Sequence, residues 1–163
     1  MIDIVSDVIK EMILYFDGDV RRINHALKVY SFSKTISELE KLPADDFKIL
    51  EVAAILHDIG IKESEKKYNS SAGNYQELEG PPVAKKLLDK FNLNSSFVDR
   101  VCYLIGHHHT YTKIDGLDYQ ILVEADFIVN IFEDSMDKNA INIIKEKYFK
   151  TSTGLTLLDS MYN

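Results

Sequence analysis

The chain has one cysteine, no tryptophan, three prolines and no apolar run approaching a membrane-spanning length. Each shortage excludes something. A lone Cys102 cannot close an internal disulfide, so a disulfide scaffold is ruled out and a reducing, cytoplasmic setting is expected. A membrane helix needs roughly 18–20 consecutive apolar residues, and none is present. The start, Met1-Ile2-Asp3-Ile4, carries acid early and no basic stretch, so no signal peptide is read. Positive charge is also in deficit: 19 Lys and Arg stand against 26 Asp and Glu, a net charge of −7. Binding to polymeric nucleic acid needs clustered bases and is not expected. A single phosphate held by a metal ion and two or three local bases remains compatible with that balance. Strand signals are missing too, since no segment alternates with period two between hairpin turns.

What is present is helical periodicity. A length of 163 residues suits one domain, 1–163, and the expected class is an all-α helical bundle with a polar site between helices. Ile2, Val5, Ile9, Met12, Ile13 and Phe16 recur at spacings of three and four until Asp17-Gly18-Asp19 breaks the pattern. Asp19 is placed to cap a second helix running to about Leu39. A third begins near Asp45 or Asp46, is apolar almost all round and ends at His57-Asp58, which marks it as the buried central helix. The polar stretch from Lys62 to Asn74 has few anchors and is expected to be a mobile cover. Helix is expected to resume after Gly80-Pro81-Pro82, then from about Ser96 to His107, from Tyr119 to about Phe132, and in two short C-terminal segments near 138–148 and 155–162. These last, within 136–163, should pack on a core motif region of about 20–135.

The five histidines are confined to three places: His25, His57 beside Asp58, and the run His107-His108-His109. Asp126 follows in a strongly apolar helix, where a lone carboxylate is costly unless partnered. Imidazole and carboxylate are the usual ligands of a borderline divalent ion such as Mn, Fe, Zn, Ni or Co. A buried helix that ends in His57 and Asp58 must satisfy both groups, and a metal does so at once. In the His run, Val101, Leu104, Ile105 and His108 share one helical face, which points His108 inward. On the same phase His107 reaches the cavity edge, and His109 is exposed or stands behind the ligands.

These residues resemble the HD-domain superfamily of metal-dependent phosphohydrolases. Asp19-Val20-Arg21-Arg22-Ile23-Asn24-His25-Ala26-Leu27 is similar to the family's first-histidine helix, Ala53-Ala54-Ile55-Leu56-His57-Asp58-Ile59-Gly60 to its signature helix, and Leu122-Val123-Glu124-Ala125-Asp126 to its closing helix. The resemblance implies a metal held by His25, His57, Asp58 and Asp126. It implies catalytic work for Asp58, which would orient a water and take its proton, and for His108, which would stabilise the phosphate or protonate the leaving group. Lys62, Arg21 and Arg22 are the candidate phosphate clamps. The implied substrate is a small phosphorylated metabolite such as a nucleotide. Some relatives hold a second metal with two further histidines. Here Gln76 stands four residues before Gly80, where one of them belongs. A second site would therefore draw on Gln76 or Glu79 with His107 or His108, or the protein uses one metal. The Gly-Tyr-Pro element of cyclic-di-GMP phosphodiesterases and the acidic pair of (p)ppGpp hydrolases are missing, so neither substrate is expected. The rival readings are a di-iron oxygenase and a non-catalytic sensor or binding module.

Overall fold

The computed structural model describes residues 3–163, so Met1 and the expected apolar position Ile2 lie outside the described residues. Among the described residues the regular elements are helices α1 (Ile4–Phe16), α2 (Val20–Leu39), α3 (Ala44–Leu56), α4 (Ile61–Tyr68), α5 (Gly73–Leu88), α6 (Ser95–Ile105), α7 (Leu117–Glu133), α8 (Lys138–Tyr148) and α9 (Ser152–Met161), with a 3-10 turn at Asp89–Phe91. The fold is an all-α single domain, as the periodicity implies. None of these helices is long and apolar enough to cross a membrane.

Capping side chains set several boundaries. Asp3, Asp19, Asn94, Asp137 and Thr151 each accept a hydrogen bond from a first-turn amide of the helix that follows. Helix α3 is the hub. Every residue from Leu50 to Leu56 is buried, and α3 packs against α1, α2, α6 and α7. Helices α8 and α9 pack on α7, and α9 also meets α2.

Two expectations are corrected. The stretch after Lys62 is not an open loop: Ile61–Tyr68 is helical and ends at Asn69 in the left-handed conformation. It has only Ile61 and Ser64 buried, too few anchors for hydrophobic periodicity to register. Charge pairs supply the rest, with Arg22 bound to Glu65 and Lys67 to Glu79. Helix α5 starts at Gly73 rather than after the prolines, so Pro81 and Pro82 lie inside it. The prolines forfeit two backbone hydrogen bonds, but α5 is held on both flanks by α4 and α6. Gly60 makes the fit possible. A Cβ there would sit 2.5 Å from the Gly80 nitrogen and 2.7 Å from the Gln76 carbonyl oxygen, so only glycine allows this approach. The contact fixes the turn after His57-Asp58 against the turn of α5 that carries Gln76.

Candidate metal centre

Three elements deliver one cluster. Helix α2 brings His25 and α7 brings Asp126, while His57 and Asp58 occupy the turn at the end of α3. The His25 Nε2 atom lies 3.0 Å from His57 Nε2 and 3.2 Å from an oxygen of each of Asp58 and Asp126. His57 Nε2 lies 3.5 Å from those same two oxygens. The other Asp58 oxygen faces His108 Nε2 at 3.3 Å. Ligand atoms of His25, His57 and Asp126 fall within 4.8 Å of one another, and so do those of Asp58, His108 and His109. Asp58 thus stands between two groups of donors.

The imidazole tautomers are set from behind. His25 Nδ1 is 2.9 Å from a Glu133 oxygen, His57 Nδ1 is 2.7 Å from the Ala54 carbonyl, and His108 Nδ1 is 2.7 Å from the Ile105 carbonyl. Those oxygens only accept, so each Nδ1 carries the proton and each Nε2 aims a lone pair inward. Buried lone pairs then face one another and two carboxylates. His108 Nε2 is fully buried and has no hydrogen-bond partner. Such a convergence of acceptors is unfavourable without a cation. An outer oxygen orienting each ligating imidazole is the usual support of a protein metal site. Two nitrogens and two carboxylates suit a borderline divalent ion.

The charges point the same way. The same centre draws in even a bare proton on His25 Nε2: burial would lower that imidazole, but the contact with Asp126 and the charge of Asp58 outweigh it and raise its pKa to about 9. Burial would raise the carboxyls of Asp58 and Asp126. The facing histidines prevail and hold both below the usual carboxylate range. The cluster favours positive charge at its centre.

The remaining expected site residues divide. His107 stays out of both groups: its Nδ1 donates to the Tyr103 carbonyl and its ring stacks on Tyr103. His109, expected exposed or behind the ligands, instead joins Asp58 and His108. The reason is local. Helix α6 ends at Ile105, and residues 106–109 are turns, so the phase of Val101 and Leu104 does not carry through to His109. The Glu77 carboxylate holds the turn by accepting from the His109 amide and the Thr110 hydroxyl. Burial and the neighbouring His108 push the His109 pKa down to about 4, which leaves it neutral. Its Nε2 lies 2.9 Å from Gln76 Oε1, whose amide nitrogen donates to the Ser71 carbonyl. Gln76 therefore meets the cluster. Glu79 does not, being turned to Lys67 and Tyr68. Lys62 is also elsewhere: its ammonium donates to the Tyr15 carbonyl and sits over the Tyr15 ring.

A cavity of about 330 Å³ opens on the cluster, and its lining includes Arg21, Arg22, His25, Asp58, His109 and Asp126. His108 is not part of that lining and stands behind Asp58. Two site residues escaped the sequence reading, Asn130 and Glu133. Asn130 donates to Asp126 Oδ1 at 3.0 Å, and Glu133 orients His25. Their signal is the helical spacing i, i+4, i+7 from Asp126, which puts all three on one face of α7.

The comparisons agree with this geometry. A family model described as HD domain matches residues 22–146. A crystal structure of a "predicted HD superfamily hydrolase" from an uncultured Thermotogales bacterium superposes with a TM-score of 0.70 at 24% identity, over 98% of this chain and 85% of that one, and shares its fold. No curated protein matches the chain. A match spanning most of the sequence, over a fold that gathers His25, His57, Asp58 and Asp126 into one cluster, places the chain in the HD-domain superfamily of metal-dependent phosphohydrolases.

Proposed function

We propose that this protein hydrolyses small phosphate esters with a divalent metal held by His25, His57, Asp58 and Asp126. One observation carries the reading: three imidazoles with Nδ1 satisfied from behind turn their Nε2 lone pairs onto two buried carboxylates, beside a cavity that also holds arginines. A bound divalent ion would supply Lewis acidity and lower the pKa of a coordinated water. The protein's own groups do the rest. Asp58 lines the cavity between the two donor groups, placed to orient a water and accept its proton. His108 lies behind Asp58, its Nε2 3.3 Å from the second Asp58 oxygen, where a shared proton or ion would let it act as a positioning residue. Glu133 and Asn130 keep His25 and Asp126 in place. Arg21 takes the phosphate-binding part first expected of Lys62, because it lines the cavity and Lys62 does not.

The test is metal analysis of the purified protein, followed by assays for phosphate release from monoesters and diesters with Mn, Co, Ni, Zn and Fe. Turnover that depends on metal and is lost in Asp58→Ala supports the reading. Two irons per chain with oxygen consumption and no phosphate release would replace it with the oxygenase alternative. Metal binding with neither activity would leave a sensor module.

A further inference from the structure

We infer that the ester this pocket takes is a compact aliphatic phosphomonoester, of a small polyol or amino alcohol, and not a nucleotide. The inference rests on the phosphate-ester reading above and narrows it. It departs from the nucleotide expected on family resemblance.

The first ground is what lines the pocket. Among the described residues, Ile61 is the single apolar residue of the lining, and no Phe, Tyr or Trp belongs to it. Nucleobases are recognised by stacking on aromatic or apolar surfaces together with hydrogen bonds to their edges. Small-molecule sites in general are mostly apolar, and this one is the reverse. The imidazoles that do line it are committed, His25 to the cluster and His109 to Gln76. Tyr68 and Tyr75 stack on each other at 4.2 Å, and neither lines the cavity. The volume, about 330 Å³, is at the small end of the roughly 300–1,000 Å³ usual for ligand pockets.

The second ground is which charges are unspent. Helix α2 contributes Arg21 and Arg22 from its first turn, and the end of α7 contributes Asn130 and Glu133, with Asp134 directly after. Arg22 is bound by Asp19 and by both oxygens of Glu65. Glu133 is bound by His25 and Lys28. Asn130 uses its amide nitrogen on Asp126, which leaves its carbonyl oxygen available. Among the described residues, Arg21 and Asp134 have no ion-pair partner. One open cation and two open acceptors fit a molecule with a phosphate at one end and hydroxyl or ammonium donors at the other. The helix ends agree, because a helix N-terminus favours an anion and a C-terminus favours a cation.

The experiment gives metal-loaded protein two panels at equal concentration. One holds glycerol phosphate, ribose 5-phosphate, serine phosphate and ethanolamine phosphate; the other holds the nucleoside 5′-monophosphates. Phosphate release is read alongside binding by calorimetry. The expected result is kcat/KM at least about 10-fold higher on the best aliphatic ester. Asp134→Asn should raise KM for that ester several-fold without changing the affinity for inorganic phosphate, and Arg21→Ala should weaken both. Nucleotides turned over or bound as well as the aliphatic esters would overturn this inference while leaving the hydrolase reading intact. Aliphatic esters bound selectively but never cleaved would uphold the pocket's preference and remove the hydrolase reading. Neither panel bound nor cleaved would overturn both.

Discussion

Helix α7 carries two buried carboxylates two residues apart, and they are satisfied in opposite ways. Residues at i and i+2 lie about 200° apart around a helix, so Glu124 and Asp126 face different neighbours. Glu124 is closed by donors: the Gln120 side chain, the Lys150 and Thr151 amides and the Thr151 hydroxyl all point at it. Burial pushes its carboxyl up against the pull of those hydrogen bonds. Gly154 belongs to the same arrangement, since a Cβ there would collide with the Glu124 carboxylate. Asp126 faces the lone pairs of His25 and His57, with Asn130 as its side-chain donor. One carboxylate completes the structure by itself. The other completes only an arrangement that still calls for a cation. A buried charge marks function when its surroundings converge on it without neutralising it.

Substitutions in the metal-type cluster and in the groups packed on the Glu124 side test this contrast in order of size. Asp58→Ala should have the largest effect, taking bound metal from stoichiometric to undetectable by elemental analysis and abolishing turnover. A variant that kept its metal would show that Asp58 is not a required ligand. Glu124→Ala should do the reverse. It leaves metal content unchanged but removes the acceptor of four donors, at a cost of about 2–4 kcal/mol in urea unfolding. A fall in metal content matching that of Asp58→Ala would erase the distinction.

Glu133→Ala comes next. It removes the oxygen that fixes the His25 tautomer and should weaken metal affinity about 10–100-fold, read by chelator competition. Unchanged affinity would mean that His25 is oriented without it. The smallest effect belongs to Glu40, which accepts from the Thr153 amide at the start of α9. Its hydrogen bonds to Thr153 hold its carboxyl below the ordinary range. A lowered folded value makes the contribution present above the unfolded carboxylate pKa and lost as pH falls through the folded one. The stability difference between wild type and Glu40→Gln should therefore shrink as pH falls below about 4.5. A difference that stayed constant with pH would assign it to packing.

The legible part of this protein was its helices and the order of its metal-type residues. The cap at Asp19, the almost wholly apolar run that makes α3 central, and the placement of His25, His57, Asp58 and Asp126 in strongly helical surroundings are local signals. Helix α4 is illegible locally because polar pairs anchor it in place of an apolar face, one of them to Arg22, 43 positions away. Helix α5 was misread at its start because a proline pair reads as a boundary, whereas the close approach of Gly60 and the packing of α4 and α6 decide otherwise.

An all-α chain carrying His, His-Asp, His and Asp in a defined order is legible residue by residue, because periodicity and residue chemistry are properties of neighbouring residues. Helical phase already turned His108 inward; packing added His109, since the end of α6 and the grip of Glu77 reset the phase there. Packing also gave Glu133 and Asn130 their partners, turned Lys62 and Glu79 away from the pocket, and separated Asp126 from Glu124. Each of those outcomes depends on which distant group a side chain meets once the helices pack, and that meeting is not written in any local pattern.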